Sequence, residues 1–179
     1  QMGDNTKALK VTLIMLMAVN GKVGQNKFRN SFEWNSEEDQ RQFLTRIKEI
    51  GTIIMGSNTF QTINQRPYGK VDSIILTSDP SKFKSQPGIE FMSGNAIDIY
   101  ETLQNRGLKH VALLGGPTVN SQFFNHQLID EIFLTIEPVL LLKGINLIND
   151  LSDNIKLHLE EMVRIEDSDT ILLHYTIKK

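Results

Sequence analysis

The chain has 179 residues, of which 40% are hydrophobic and 22% charged, a globular make-up whose length suits one domain able to bury about 70% of its unfolded surface. A net charge of −2 advertises no surface for nucleic acid or anionic membrane, and the lack of cysteine excludes a disulfide frame and thiol chemistry. No signal-peptide pattern and no run of about eighteen apolar residues occurs, so a cytoplasmic protein without a membrane partner is expected.

Residues 1–8, QMGDNTKA, are polar and read as a frayed or expression-derived N-terminus; residues 9–179 read as a single domain. Val11–Ala18 is apolar except for Thr12, the pattern of a strand buried on both faces. A long polar loop follows over residues 20–33, either a lid over a site or a disordered connection. Ser36 then fits a helix N-cap, with Glu37, Glu38 and Asp39 in the first turn, where acids complement the helix dipole. Phe43, Ile47 and Ile50 mark the apolar stripe, and Asp39, four residues before Phe43, falls on it. Two readings of Asp39 stand side by side. It is a site carboxylate set into the wall of the core, where an acid is costly without a partner. Alternatively, it is the third residue of a capping box that bonds back to Ser36.

Gly51 closes this helix, Thr52–Met55 is a strand ending at Gly56, and Asn58–Ile63 opens another helix. Ser73–Thr77 and Ile89–Met92 are strands around a Ser78-Asp79-Pro80 turn, and Ala96–Leu103 is a helix ending near Gly107. Val111–Leu114 is a short buried strand followed by Gly115-Gly116, by Pro117 suited to a first helical position, and by Val119, Phe123 and Phe124 at helical spacing. Such a junction offers free N–H groups and a positive dipole end to an anion, or else serves only as a tight turn needing positive φ. Glu131–Glu137 alternates as a strand, and Leu157–Arg164 and Thr170–Ile177 form an antiparallel pair turning near Asp167. The order βαβαββαβαβ plus two strands gives an α/β fold, with a mostly parallel central sheet, helices on both faces and a C-terminal antiparallel pair. Ligands in such sheets lie past the carboxyl ends of the strands, where Gly56, Ser78 and Gly115 fall. Neither G-x-G-x-x-G nor a P-loop occurs, and His110, His126, His158 and His174 are scattered, so no metal site is expected.

Four segments, taken together and in order, resemble the dihydrofolate reductase superfamily, over about residues 9–178. LIMLMAVNGKVGQN is similar to its first strand and the loop over the nicotinamide. WNSEEDQRQF is similar to the W-N-x-x-x-D segment that holds its acid, on Asp39. IIMGSNTF and SIILTS are similar to its adenine-side segments, and LLGGPTVNSQFF to its paired-glycine turn. The resemblance implies a dihydrofolate-reductase-like fold and an NADPH cofactor. It assigns cofactor binding to Leu16, Ala18, Val23 and Gly24; to Gly56, Ser57, Asn58 and Thr59; to Leu76, Thr77 and Ser78; and to Leu114, Gly115, Gly116, Pro117, Thr118 and Val119. It assigns the catalytic acid to Asp39, oriented by Thr135, and substrate binding to Ile14, Met15, Asp39, Phe43 and Lys70.

The superfamily includes riboflavin-pathway reductases, whose wording LGGPTVN and LIDEIFLTIEPVLLLKG approach. That branch usually carries acids where Asn20 and Leu114 stand. Ser57 and Thr118 stand where the family places bases that touch the cofactor 2′-phosphate, with Ser78 and Lys82 as substitutes. Lys70 or Val71 stands at the tail-gripping arginine. The expectation is an oxidoreductase that reduces 7,8-dihydrofolate with NADPH. The alternatives are a 5-amino-6-(5-phosphoribosylamino)uracil reductase and a non-catalytic nucleotide-binding protein. Partners are a small pterin or pyrimidine substrate and no nucleic acid, with the chain a monomer or homodimer.

Overall fold

A computed structural model describes residues 9–24, 36–63, 65 and 68–178. The part of the 20–33 loop from residue 25 onward lies outside the described residues. In chain order the elements are β1 (Lys10–Ala18), α1 (Glu37–Ile50), β2 (Thr52–Gly56), α2 (Ser57–Thr62), β3 (Asp72–Leu76), a 3₁₀ turn (Pro80–Lys82), β4 (Ile89–Met92) and α3 (Ala96–Asn105). There follow β5 (His110–Leu113), α4 (Pro117–Asn125), β6 (Glu131–Glu137), β7 (Leu157–Arg164) and β8 (Ile171–Ile177). The strands form one sheet in the order β4-β3-β2-β5-β1-β6-β8-β7. β1 to β6 run parallel, while β8 pairs antiparallel with both β6 and β7. This is the expected α/β sheet with its C-terminal antiparallel pair, and the elements start or stop within a residue or two of their sequence limits. Among the described residues, no helix is long and apolar enough to cross a membrane.

Each face of the sheet has its own core. Val11, Leu13, Val111, Leu113 and Ile132 point to one face and pack with α3 and α4 through Ile99, Leu103 and Phe123. Ile14, Ile53, Met55, Ile75 and Ala112 point to the other and pack with α1 and α2 through Ile47 and Phe60. β1 lies between β5 and β6 and is buried on both faces over Val11–Ile14, but Met15, Leu16 and Met17 are only half-buried. The sheet is covered along most of β1 and opens at its carboxyl end, which is where parallel sheets hold their ligands. Gly51 caps α1 at φ 88°, its N–H bonded to the Ile47 carbonyl at 2.9 Å. Residues 22–24 are held by a bridge to 144–146, through Val23 N–H to Ile145 O (2.9 Å) and Ile145 N–H to Gly24 O (3.0 Å). Gly144 fits there because a Cβ would collide with the Gly24 carbonyl and lie 2.6 Å from Lys22 Cβ.

The face under α1 also buries charge at its lower end. Glu131 accepts the Thr12 hydroxyl (2.8 Å) through Oε1, which also pairs with Lys10 Nζ (2.8 Å), and its Oε2 meets His174 Nε2 (2.8 Å). The Thr12 hydroxyl proton is committed to Glu131, so its oxygen accepts from His110 Nε2, 2.7 Å away. Burial pushes the Glu131 pKa up, but bonds from Lys10, Thr12 and His174 outweigh it and hold the value below 4.5. Burial, with Lys10 beside it, lowers His110 below 6.5. Both folded values are depressed, so both groups lend stability at high pH and lose it as pH falls. The thermal midpoint should decline in two stages, from below about pH 6.5 as His110 must charge and again below about pH 4.5 as Glu131 protonates. His110→Gln, which keeps a donor for Thr12, should remove the upper stage and keep the lower. Melting curves of both proteins from about pH 2 to 8 check this, and an unchanged upper stage would locate its origin elsewhere.

Candidate active site

Asp39 is buried, and its Oδ1 accepts the hydroxyl of Thr135 at 2.7 Å. Helical spacing puts Asp39, Gln42, Phe43 and Arg46 on the sheet-facing side of α1, and all four line one cleft at the carboxyl ends of β1, β5 and β6. Ile14, Met15, Leu16, Leu114, Phe133 and Thr135 form its sheet wall, with Val23, Gly24 and Ile145 at its edge. The capping-box alternative is half realised. Ser36 Oγ accepts the Asp39 backbone N–H at 3.1 Å, a bond that any residue at this position can donate. The return bond is made by another acid, because the Ser36 N–H donates to Glu137 Oε1 at 2.9 Å. Glu137 is itself buried, with Oε2 accepting the Thr170 hydroxyl at 2.7 Å. A long-range acid thus holds the start of α1, and the local acid faces the cleft.

A second groove joins the first across Thr59, Thr62, Gly116, Pro117 and Ile145. It is lined by Gly56, Ser57 and Asn58 at the start of α2, by Leu76, Thr77 and Ser78 beyond β3, and by Thr118 and Val119 at the start of α4. The ends of β2 and β5 are tied by Gly56 N–H to Gly115 O at 2.8 Å. Gly115 has φ 94°, and the Gly115–Gly116 peptide is cis. A Cβ on Gly116 would lie 3.2 Å from Thr59 Oγ1, and one on Gly56 would lie 3.1 Å from Val119 Cγ2, so these glycines keep the floor low. Pro117 has no N–H and Asn120 N–H returns to Gly116 O, which leaves the first-turn N–H groups of Thr118 and Val119 at the groove. Two helix starts and a glycine floor suit a diphosphate. Among the described residues the groove's lining is neutral, and the Lys82 ammonium is exposed beside Asp79 at 3.9 Å.

Most residues singled out by sequence meet in these two joined clefts. Besides Val71 and Lys82, three do not line them. Ala18 is buried with its N–H on Lys22 O, Gly115 lies beneath the floor against the Met15 sulfur, and Lys70 is exposed in the turn after Gly69. The cleft beyond Phe43 is aromatic and apolar, with Tyr68 edge-on to Phe43 at 5.4 Å and Ile63 beside them. Burial raises the Tyr68 pKa, so its phenol stays neutral. Sequence reading missed Gln42 and Arg46, although their offsets of three and seven from Asp39 carried the signal. The Arg46 guanidinium lies 3.7 Å over the Phe133 ring, whose partner in a parallel stack, 4.2 Å away, is His174. Burial lowers the Arg46 pKa below its ordinary value, while Glu131, Glu49, Glu161 and Asp39 pull it back. Among the described residues, no group of three or more His, Cys, Asp or Glu is placed to hold a metal ion.

The family model described as dihydrofolate reductase matches residues 10–137. Uncharacterized protein YwjB of Bacillus subtilis is 22% identical over 173 residues, covering 93% of this chain and 97% of that protein. Among solved structures, Acinetobacter baumannii RibD superposes with a TM-score of 0.79 at 14% identity, over 97% of this chain and 59% of that one. Dihydrofolate reductase from Enterococcus faecalis, complexed with NADP(H) and RAB-propyl, gives 0.75 at 17% identity, over 95% of this chain and 97% of that one. These two likenesses concern the fold.

The Glu137 bridge predicts a measurable loss. Glu137→Gln puts an amide N–H where a carboxylate now accepts from Ser36 or Thr170, leaving one buried donor unmatched. Denaturant unfolding should show a loss of about 1–3 kcal/mol, whereas an exposed acid such as Glu37 changed to Gln should cost much less.

Proposed function

The chain belongs to the dihydrofolate reductase family, and on that premise we propose that it is an NADPH-dependent reductase that delivers hydride to the C=N bond of a dihydropterin, turning 7,8-dihydrofolate into tetrahydrofolate. The observation that carries this reading is the buried Asp39 carboxylate, fixed by Thr135 in a cleft continuous with the neutral groove. Gly116, Thr118, Val119 and the start of α2 would hold the cofactor diphosphate, and Leu76, Thr77 and Ser78 its adenosine end. When bound, the nicotinamide supplies the hydride. The protein supplies position and a proton route. Asp39 accepts N–H groups of the heterocycle and favours protonation of its C=N nitrogen, with Thr135 fixing the carboxylate's orientation. Phe43, Leu114, Met15 and Leu16 line the cleft and would give a flat ring apolar surface to rest on.

A second reading, reduction of a phosphoribosylaminopyrimidine, is favoured by one observation: Lys70 is turned out of the cleft, and the aromatic arm near Tyr68 has no cation among the described residues to grip a folate tail. Following nicotinamide absorbance with NADPH and each substrate in turn separates the two. Consumption with neither would leave a nucleotide-binding protein.

Asp39→Asn keeps the shape and the Thr135 bond while removing the charge. The variant should fold and bind NADPH but turn over dihydrofolate about 10²–10⁴-fold more slowly at neutral pH. Part of the rate should return at lower pH, as the substrate takes its proton from solvent. Near-normal turnover would leave Asp39 a buried carboxylate that only ties α1 to Thr135.

Cofactor choice follows from the neutral groove. Ser57 and Thr118 offer hydroxyls to a 2′-phosphate without a charge to neutralise it, so NADPH should be only modestly preferred over NADH. Ser57→Arg should widen the preference, since a guanidinium binds phosphate through two parallel bonds. Titrating both cofactors into both proteins tests this. A strong wild-type preference with no gain in the variant would place the phosphate outside the Ser57 corner.

A further inference from the structure

Residues 144–152 run beside the groove as a strap, and two of them, Ile145 and Asn149, line it. From 142 to 154 every residue is half-buried or exposed, with Ile148 packed against the core. Polar side chains of α4 do most of the holding. Asn120 Nδ2 donates to Leu147 O at 2.9 Å. Ser121 Oγ gives its proton to Pro117 O at 2.7 Å, so its lone pairs accept the N–H groups of Asn149 at 3.0 Å and Asp150 at 3.2 Å. Asn125 Nδ2 donates to Asp150 O at 3.2 Å, and Asn149 Nδ2 to Thr118 Oγ1 at 3.1 Å. Asn120 stands apart in this set. It is fully buried, and among the described residues its Oδ1 has no partner. A buried amide with half of its bonding unmet is worse for stability than an apolar side chain of the same size. Packing therefore gives no reason for an asparagine here, whereas the bond to the strap does. Leu147 lies midway between Ile145 and Asn149, so that bond fixes where both stand.

We infer that Asn120 is a positioning residue for the groove. Through the Leu147 carbonyl it sets the strap against the first turn of α4, so that Ile145 and Asn149 become one of the walls that a dinucleotide meets. The inference rests on reading the groove as the cofactor site. Asn120 itself touches no cofactor, because it is sealed beneath the helix start. Its contribution is to keep the wall in place before the cofactor arrives, which spares binding the cost of ordering a loop. Ser121 does the same one residue on, through Asn149 and Asp150.

The test titrates NADPH into the whole chain by nicotinamide fluorescence, well below the thermal midpoint, and records the midpoint beside it. Asn120→Leu fills the same space and cannot donate to Leu147. It should weaken NADPH about tenfold, the worth of one hydrogen bond, while the midpoint holds or rises. Ile132→Val supplies the control. It opens a small gap in the core that Asn120 adjoins, and Ile132 lines neither cleft nor groove. It should lower the midpoint and leave NADPH affinity as it is. Unchanged affinity in a folded Asn120→Leu protein overturns the inference and marks a merely structural asparagine. An affinity loss of the same size in Ile132→Val overturns it too, since the effect would then be one of general stability. If Asn120→Leu does not fold, Ser121→Ala takes its place, and unchanged affinity there is equally fatal. A folded wild type that binds no NADPH overturns the cofactor reading and the inference together.

Discussion

The Thr135–Asp39 bond is the constraint on which the site depends. It joins the first turn of α1 to β6, 96 residues later in the chain, at 2.7 Å in a buried setting. A carboxylate is tolerated at the wall of a core only if its lone pairs are met, and low polarity strengthens each bond that meets them. The helix enters at the right depth because Glu137, two residues beyond Thr135 on the same strand face, takes the Ser36 N–H. β6 thus holds both the cap of α1 and the acid that the helix carries, and the two contacts fix rotation and register together.

The same strand explains where the sheet hides its charges. Glu131, Phe133, Thr135 and Glu137 share one face, and all except Phe133 are polar and buried. At the lower end Glu131 collects Lys10, Thr12 and His174; at the upper end Glu137 collects Ser36 and Thr170. Phe133 lies between them as a platform for Arg46. The acids at the two ends of β6 are satisfied by residues from β1, β8 and the loops, so the polar face of this strand closes against α1 without leaving a buried charge unmatched.

The groove beside the cleft relies on backbone more than on side chains. Gly56 and Gly115 end neighbouring strands and bond to each other, and each is followed by a helix whose first N–H groups open on the same space. Partial charges from two helix starts would favour an anion there without the desolvation that buried lysines would demand. The neutral lining of Ser57, Asn58, Thr77, Ser78 and Thr118 agrees with that design.

The sequence by itself determined the elements. Runs of apolar residues, glycine stops and the 3.6-residue stripe of 36–50 placed every strand and helix within a residue or two, because those signals are local and come from backbone sterics and burial. It also placed Asp39 on the apolar face and Gly115-Gly116 at a helix start. It left Asp39 divided between cap and site, because either role needs the same residue three positions after Ser36. Only the fold decided which acid meets the Ser36 N–H, since Glu137 is 101 residues away. The alternation of EIFLTIE gave no sign that both of its glutamates are buried, because their partners come from other strands. Nor could spacing alone turn Lys70 outward or lay Arg46 on Phe133. Those outcomes depend on which side chains three-dimensional packing brings within a few ångströms, and a linear pattern carries periodicity but not partners.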